Sequence, residues 1–366
     1  MKKLLLSMAV VALLFTACDD DKNEIIQEQE IDMSDFYVYT DSNDNLSSKS
    51  SNEKSNKRAC YSMDALNKQL DANPGLAKKL YDVEYHTRKF LAAKGKPGGG
   101  GGNPNGGSGS EDIDVLPIQD NLGIIEIPVY VHVIYNTASE NISNSQIQSQ
   151  IDVLNADFRN TNLNLLPSGT TFANDATDAG FHFTLAGVTR TQNPTTSWTS
   201  RETMKYTAQG GQDAITPDTH LNMWVVNKMV FGGRTILGYA QFPGGAAVTD
   251  GVVIAHNYFG NTGVLSAPYD GGRTATHEIG HYLSLRHIWG DGRCRQDDFV
   301  ADTPSSDSSN GGCPTFPSVS CKSADMTMNY MDYTYDACMY LFTDGQRNRM
   351  RSIFQSGGAR SSMLGN

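Results

Sequence analysis

The middle of the chain alternates between apolar runs and polar turns, and this pattern predicts a sheet covered by helices. Residues 127–135 are rich in β-branched and aromatic side chains, which favour strands. Across residues 143–160, apolar side chains recur about every 3.6 positions, which predicts an amphipathic helix. Further strands are predicted at residues 181–190, 221–227, 238–242 and 251–256, and a second helix at residues 274–285. This order predicts an α/β fold with a mixed sheet, in one main domain at residues 116–366.

The part of the chain before this domain differs in its composition and in its spacing of apolar residues. Residues 57–93 carry apolar side chains at helical spacing in two stretches, and Asn73-Pro74 between them is a good helix start. This predicts a small helical segment that packs on something larger. Residues 94–115 contain two glycine-rich runs, which predict a flexible linker that is open to proteolysis. The polar composition of residues 18–56 predicts a disordered tether.

The N-terminus has the features of a bacterial export signal. Lys2 and Lys3 precede an apolar run at residues 4–14, which is too short to span a bilayer as a permanent helix. The run ends in small residues before Cys18, a pattern that resembles a lipobox. Cleavage after residues 1–17 would make Cys18 the lipidated N-terminus. The alternative is an ordinary secretory signal with a chance cysteine. We expect an exported lipoprotein at the outer membrane or cell surface, or released into the medium after activation.

Charge and cysteine usage narrow the class of protein further. With a net charge of −11, the chain lacks the basic surface that nucleic-acid binding requires. We expect a monomer whose only membrane contact is its lipid. Of six cysteines, four lie between residues 294 and 338, which suggests two disulfides in an oxidising compartment. Four cysteines allow three pairings, and the spacing does not choose between them. Cys60 is then left over as an odd thiol.

Three histidines and one glutamate near residue 280 suggest a metal site. On a helix, His277 and His281 share one face and can hold one ion together. Glu278 is about 100° around the helix from His277 and would reach a water at that ion. His287 reaches the same ion only if the helix ends after His281. Catalytic zinc takes three protein ligands and a water, and a nearby carboxylate can take the water's proton. We therefore expect peptide-bond hydrolysis with Glu278 as base.

The spacing resembles the long zinc-binding motif of metzincin peptidases, with Ser284 where that motif has glycine. Residues 329–333, Asn-Tyr-Met-Asp-Tyr, resemble the Met-turn of metzincins. The resemblance implies that Met331 lies under the metal as an apolar floor. It also implies that the Tyr333 hydroxyl stabilises the oxyanion. The remaining histidines are expected at the surface or in satisfied packing: His86, His132, His182, His220 and His256.

Together with shorter matches, these motifs resemble the pappalysin (cytophagalysin-like) family of metzincins over residues 120–355; the shorter matches are Gly290-Asp291 and residues 300–304, 337–339 and 342–346. The resemblance implies a secreted endopeptidase of protein or peptide substrates, with catalytic Zn²⁺ and bound Ca²⁺. It implies a metzincin-like α/β (α+β) fold: a mixed twisted sheet with a backing helix and an active-site helix, then an irregular C-terminal subdomain. In that subdomain it implies the disulfides Cys294–Cys321 and Cys313–Cys338.

An acidic loop at residues 297–304 offers carboxylate, carbonyl and hydroxyl oxygens, the ligands that Ca²⁺ prefers. The alternative is a solvated acidic turn. The family resemblance favours calcium, and we expect Asp298, the Val300 carbonyl, Asp302 and Thr303 as ligands.

The leftover Cys60 thiol fits a latent peptidase, in which it would keep the enzyme inactive until the chain is cleaved. A thiolate is a good zinc ligand, and Cys60, two residues after Arg58, resembles the cysteine-switch segment of latent family members, with Tyr61 where glycine is expected. Cleavage in the glycine-rich linker, or near Arg88, would release it. The alternatives are a plain unpaired thiol and a dimer disulfide.

The predicted strand at residues 238–242 precedes the metal-binding helix and suits the edge of the sheet. An extended peptide would add there through main-chain hydrogen bonds.

Two other functions fit the motif less fully. One is a non-catalytic metal-binding surface or adhesion module on the same scaffold, against which Glu278 and Tyr333 argue. The other is a zinc hydrolase with a distant glutamate ligand, against which the spacing of His287 and the Met-turn argue.

Overall fold

The computed structural model describes residues 30–40, 60–94, 115–162, 171–199, 202–231 and 233–365. Contacts divide the chain into Met1–Asp32 and Met33–Asn366, and the described helices and strands all belong to the second unit. The predicted signal at residues 1–17, the lipidation residue Cys18 and the glycine runs at residues 98–109 lie outside the described residues. The predicted boundaries of the segments stay predictions.

In the part of the chain that the structure describes, five α-helices and a five-stranded sheet form the framework. The helices are α1 (Ser62–Ala72), α2 (Leu76–Lys94), α3 (Asn144–Phe158), α4 (Arg273–Tyr282) and α5 (Asp344–Ser352). The longer strands are β1 (Ile125–Tyr135), β2 (Phe181–Gln192) and β3 (Leu221–Val226). Shorter strands follow: β4 (Met229–Phe231), β5 (Arg234–Ile236), β6 (Gly238–Ala240), β7 (Val252–Ala255), β8 (Gly311–Gly312), β9 (Val319–Ser320), β10 (Ser323–Ala324) and β11 (Tyr333–Thr334).

The main sheet has the order β2-β1-β3-β7-β6. Its first three pairings are parallel, whereas β6 runs antiparallel to β7 at the edge. All six residues of β3 are buried, as its continuous apolar sequence predicts for a central strand. The prediction of an α/β fold with a mixed sheet is confirmed. The small hairpin of β4 and β5 was not predicted, because each strand has only three residues.

Helices α3 and α4 cover one face of the sheet. The apolar side of α3, with Ile147, Ile151 and Leu154, joins the same core cluster as Ala275 and Ile279 of α4. Ser143 caps α3, since its side chain accepts a hydrogen bond from the backbone of Gln146. This packing fixes α4 between the sheet and the C-terminal part of the chain, where its polar side carries the candidate site.

The C-terminal part after α4 is irregular and contains two disulfides, Cys294–Cys321 and Cys313–Cys338. These are the pairings that the family resemblance implies. The Cα–Cα distances are 5.4 and 5.6 Å, within the usual range for a disulfide. Among the described residues, no helix combines the length and apolar character that a membrane span requires.

Residues 33–40, which we call the strap, lie within the predicted disordered tether but pack on the main unit. Asn67 of α1 donates a hydrogen bond to the carbonyl of Thr40. Asp35 forms an ion pair with Arg88 of α2. The sequence pattern did not predict this order, because the strap has no helical or strand periodicity and is held by residues far away in the chain.

Candidate metal centre and active site

Helix α4 presents His277 and His281 on one side, one turn apart, and both side chains are buried. The helix ends at Tyr282, three residues earlier than predicted. The backbone N–H of Ser284 donates to His281 and that of Leu285 donates to Gly280, which is the Schellman pattern of helix ends. Ser284 has φ = 78°, so it takes the left-handed conformation without being glycine. The chain therefore turns back directly after His281.

This turn brings His287 to the histidines of the helix. Its Nε2 atom lies 3.1 Å from Nε2 of His281, and its ring centroid lies 5.2 Å from that of His277. The Trp289 ring stacks on His287 with centroids 4.2 Å apart. Stacking on one side and the helix on the other hold the third imidazole in place.

Each imidazole uses its Nδ1 atom for a hydrogen bond to an acceptor. Nδ1 of His277 lies 2.7 Å from the carbonyl of Tyr330, and Nδ1 of His281 lies 2.8 Å from that of Leu285. Nδ1 of His287 contacts the carboxylate of Asp291. Since carbonyls and carboxylates only accept, each Nδ1 carries the hydrogen and each Nε2 presents a lone pair. Burial, and next the nearby His287, lower the pKa of His281 well below its usual value, which keeps it neutral.

The thiol of Cys60 completes a group of four possible ligands. One ligand atom from each of Cys60, His277, His281 and His287 lies within 4.8 Å of the others, and all four residues are buried. The Cys60 sulfur lies 3.6 Å from Nε2 of His281. Around tetrahedral zinc, two nitrogens would be ~3.3 Å apart and a sulfur–nitrogen pair ~3.6 Å apart. Two facing lone pairs 3.1 Å apart repel unless a cation or proton lies between them, so the four residues fit a zinc ion.

Glu278 lies beside this group and contacts the segment before α1. Its Oε2 atom accepts a hydrogen bond of 2.7 Å from the hydroxyl of Ser62 and lies 3.3 Å from the Cys60 sulfur. Burial, and next the Glu278 carboxylate, raise the pKa of Cys60 well above its usual value. A positive ion at the four ligands would oppose this effect, because a thiolate is favoured by a nearby cation.

The same segment lies along the edge strand β6. Cys60 forms a parallel bridge with Gly238, and the backbone N–H of Tyr61 donates to the carbonyl of Gly238 at 3.2 Å. The N–H of Ala240 donates to the Ser62 hydroxyl at 2.8 Å. A Cβ atom on Gly238 would lie 3.0 Å from Cγ of Glu278, so the missing side chain lets the backbone of β6 lie close to Glu278.

The loop at residues 329–333 lies against α4. A Cβ atom on Gly280 would lie 2.3 Å from the sulfur of Met331, so Met331 packs on the helix between the two histidines. The ring of Tyr333 lies 4.9 Å from that of His287 and 4.8 Å from that of Trp289. Met331 therefore packs on α4 and Tyr333 lies beside the imidazoles, whereas the roles that the Met-turn resemblance implies for them stay predictions.

Sequence reasoning missed several residues that orient this site. Asp157 of α3 accepts hydrogen bonds from the hydroxyls of Tyr330 and Thr276, which links the loop at residues 329–333 to helix α4. Tyr330 in turn accepts from His277, whereas Asp291 fixes His287. Tyr330 and Asp291 lie in sequence matches, at residues 329–333 and Gly290-Asp291, but neither match indicated these contacts. Asp157 and Thr276 are recognisable in this role only from contacts between distant elements.

The side chains of the acidic loop form two separate groups of hydrogen bonds. The Thr303 hydroxyl lies 2.9 Å from both carboxylate oxygens of Asp298 and 2.9 Å from the carbonyl of Val300. Burial, and next the carboxylate of Asp297, raise the pKa of Asp298 well above its usual value. Asp302 instead accepts hydrogen bonds from Thr343 and from the N-terminus of α5. Burial raises its pKa to about 6.

The other five histidines have ordinary partners. His132 is buried and contacts Asn222 and Thr189, and the pKa of His132 is lowered by burial. The remaining four contact a backbone carbonyl, a carboxylate or threonine hydroxyls; they are His86, His182, His220 and His256. These contacts agree with the expectation of surface positions or satisfied packing.

Comparison with protein families and known proteins agrees with this geometry. The peptidase M43 family model, described as pregnancy-associated plasma protein-A, matches residues 206–355. An extracellular metalloprotease from Coccidioides posadasii is 36% identical over 63% of this chain and 77% of its own length. Another from Arthroderma benhamiae is 36% identical over 63% of this chain and 72% of its own length.

Two solved structures are similar over most of their length. Mature mirolysin from Tannerella forsythia, in complex with a cleaved peptide, has a TM-score of 0.63 and 47% identity. That match covers 66% of this chain and 96% of mirolysin. A promirolysin mutant from the same organism has a TM-score of 0.69 and 39% identity, and covers 84% of this chain and 97% of its own. The match to the precursor thus extends over more of this chain than the match to the mature protein.

Proposed function

This chain belongs to the peptidase M43 (pappalysin) family, and from that membership we propose that it is a zinc-dependent endopeptidase made as a latent lipoprotein precursor. Its relatives are extracellular metalloproteases, which supports peptidase activity and secretion. Zinc and the metzincin subclass are supported by the geometry of the three histidines.

The observation that carries the proposal is the orientation of the imidazoles. His277, His281 and His287 each have Nδ1 held by an acceptor, and a ligand atom of each lies within 4.8 Å of the others. We assign these three as the zinc ligands, with Met331 packed beneath the helix as the floor. When bound, zinc acts as a Lewis acid that polarises a substrate carbonyl and makes water a better nucleophile.

Glu278 is the assigned general base. Its carboxylate lies next to the ligand group but is occupied by Ser62 and Cys60 in the precursor. Once these leave, the carboxylate is placed to accept a proton from the attacking water and to return it to the leaving amine. Tyr333, whose ring packs on His287, is assigned to donate its hydroxyl hydrogen to the oxyanion.

The edge strand β6 is the assigned binding edge for an extended substrate peptide. In the precursor its Gly238 carbonyl and Ala240 N–H already bond the segment that contains Cys60 and Ser62. A substrate peptide would take over these main-chain groups by strand addition. Protein or peptide substrates follow from this mode of binding, and neither nucleic acid nor a second copy of the chain is needed.

Latency is assigned to Cys60 as the fourth zinc ligand. Its sulfur is buried among the imidazoles at a distance that suits a common ion, and its neighbour Ser62 bonds the catalytic base. The segment therefore blocks the water site and the base together. Burial of the sulfur argues against an intermolecular disulfide.

Calcium is proposed at the acidic loop, with Asp298, the Val300 carbonyl and Thr303 as ligands. One hydroxyl cannot donate to three oxygens at once, yet Thr303 lies within 2.9 Å of three. A cation among these oxygens would satisfy them and would offset the burial of Asp298. Asp302 is retained as a weaker candidate, because its carboxylate already bonds α5.

Attachment to the cell is proposed through lipidation of Cys18. Cleavage in the linker at residues 94–115 would separate the catalytic unit from this lipid anchor, so that activation and release into the medium could coincide. We propose that the released protein is a monomer. A mass measurement of the cell-bound protein that found no lipid on Cys18 would contradict the anchor.

The experiment compares the activated wild type with Glu278→Ala, using casein as substrate with and without a zinc chelator. We expect the loss of Glu278 to reduce cleavage by at least a hundredfold, since general-base catalysis contributes about 10²–10⁴-fold. Glu126→Ala is the matched control, because Glu126 is exposed on β1. A non-catalytic adhesion module would cleave nothing in any form. Equal cleavage by wild type and Glu278→Ala, or indifference to the chelator, would overturn the proposal.

A further inference from the structure

The strap makes its contacts away from the proposed zinc ligands. Tyr37 is its centre: the hydroxyl lies 2.7 Å from the carbonyls of both Gly290 and Asp297. Arg286 donates a hydrogen bond of 2.6 Å to the carbonyl of Tyr37 and stacks on its ring at 4.4 Å. A tyrosine side chain is therefore held by two carbonyls and a guanidinium group, all of which belong to the catalytic part of the chain.

An aromatic contact extends this site. The ring of Phe299 lies 5.7 Å from Phe36 and 5.2 Å from Tyr37. The Arg286 guanidinium lies 5.1 Å from the same Phe299 ring. Cations over aromatic faces and tilted aromatic pairs both contribute to binding. The surface made by Arg286, Phe299 and the two carbonyls thus fits an aromatic segment with one free hydroxyl.

The strap is also joined to both helices that follow it. Both carboxylate oxygens of Asp35 bond the guanidinium of Arg88 in α2, at 2.5 and 3.0 Å. The side chain of Asn67 in α1 donates to the carbonyl of Thr40 and accepts from its N–H. The strap therefore connects the helices of the predicted pro-segment to the loop that begins next to His287.

We propose that the surface formed by Arg286, Phe299 and the carbonyls of Gly290 and Asp297 is a docking site for the strap, separate from the metal centre. This second site holds the pro-segment on the catalytic unit when the bond between Cys60 and the metal is broken. Latency then depends on two attachments rather than one. The inference rests on the proposed function, since it concerns what keeps the precursor closed.

The test measures how fast the Cys60 thiol reacts after the metal has been removed. The full chain carries Cys18→Ser, so that Cys60 is its single cysteine outside the disulfides, and 1,10-phenanthroline removes zinc but spares calcium. After metal removal, we expect the Cys60 thiol of the folded wild type to react at least a hundredfold more slowly than the same thiol in the chain unfolded by urea. Tyr37→Phe should react about tenfold faster than wild type, because the ring stays and one donated hydrogen bond is lost. Thiol labelling needs no peptidase activity, so its outcome is independent of the proposed function.

Tyr39→Phe is the matched control, since Tyr39 lies in the same strap but is 53% exposed; we expect it to react like the wild type. Asp35→Asn gives a second variant at the other end of the strap and should also react faster. Thermal unfolding establishes that each variant is folded. The docking site is refuted if metal removal alone makes the thiol as reactive as in urea. It is equally refuted if Tyr37→Phe and Asp35→Asn both react at the wild-type rate.

Discussion

At the scale of single residues, Ser62 contacts Glu278 as directly as Cys60 contacts His281. Its hydroxyl is buried, donates to Glu278 and accepts from Ala240 of the edge strand. A single side chain thus occupies both the Glu278 carboxylate and a main-chain amide of β6. The cysteine attracts notice in a sequence because an odd thiol in an exported chain needs an explanation. A serine in the same segment does not.

This contact predicts that latency is shared between the two residues. We expect Cys60→Ala to make the unprocessed precursor at least tenfold more active on a quenched peptide, because the water site opens. Ser62→Ala should give a smaller rise, about threefold to tenfold, as the loss of one hydrogen bond to a charged group implies. Ser139→Ala, an exposed serine on the main unit, is the control. Unchanged latency in Cys60→Ala would contradict the assignment of Cys60 as a ligand.

The grouping of His277, His281 and His287 could be predicted from their spacing, whereas the orientation of their rings could not. The interval between His277, His281 and His287 is enough to expect a common ion. The acceptors that hold their Nδ1 atoms come from Tyr330, Leu285 and Asp291, and two of these are backbone carbonyls, which any residue type supplies. Ser284 likewise takes the left-handed turn through the Schellman hydrogen bonds around it, although its side chain gives no sign of that conformation.

At the scale of elements, the contact between α2 and α5 is a buried ion pair. Glu84 of α2 bonds Arg349 of α5 at 2.6 Å and Arg88 at 2.7 Å. Burial alone would raise the pKa of Glu84, but Arg349 and Arg88 outweigh it and lower the pKa to about 2. Breaking such a pair from one side leaves a buried charge without its partner, which is strongly destabilising.

This ion pair predicts an acid-sensitive attachment of α2. The carboxylate is ionised in the folded state down to about pH 2, whereas in the unfolded chain it takes up a proton near pH 4.5. Its stabilisation is therefore complete above pH 4.5 and is lost as the pH falls towards 2. At pH 7, Glu84→Gln should lower the free energy of unfolding by about 3 kcal/mol.

The measurement is denaturant unfolding of the precursor between pH 2 and 7, with Asp82→Asn as control, because Asp82 is exposed on the same helix. The difference between wild type and Glu84→Gln should shrink as the pH falls below 4.5. A difference that stays constant across this range would show that the ion pair is not its source.

The elements of the sheet and the long helices could be predicted because each has a repeating pattern of apolar residues. The strap could not be predicted, since its order depends on Arg286 and on carbonyls about 250 residues away. The hairpin of β4 and β5 is too short to show alternation. Contacts between distant segments are thus the part of this fold that local sequence patterns do not reveal.

At the scale of the whole molecule, the acidic loop contacts both the strap and α5, so that three parts of the chain meet there. Asp297 accepts from the strap, Phe299 accepts from Arg349 of α5, and Thr303 faces Asp298 within the loop. If calcium fills the group around Asp298, its binding free energy stabilises all three parts together. An ion at about 100 times its dissociation constant contributes about 2.7 kcal/mol.

We therefore expect calcium removal with EGTA to lower the thermal midpoint of the whole precursor by several degrees, and added calcium to restore it. Asp298→Asn should abolish this response, whereas Asp152→Asn, on the exposed side of α3, should keep it. Differential scanning calorimetry measures both. If calcium does not change the thermal midpoint of the wild type, the result contradicts the calcium site and favours the alternative, a solvated acidic turn.

The burial of Cys60 has one further consequence, which concerns folding. In the part of the chain that the structure describes, four cysteines pair in two disulfides and Cys60 stays a free thiol. Disulfides exchange when a free thiolate attacks them, and access to the attacking sulfur controls the rate. Because the Cys60 sulfur is enclosed among three imidazoles, it cannot reach either disulfide in the folded precursor. The contacts that enclose Cys60 thereby also protect the two disulfides from exchange for as long as this segment stays in place.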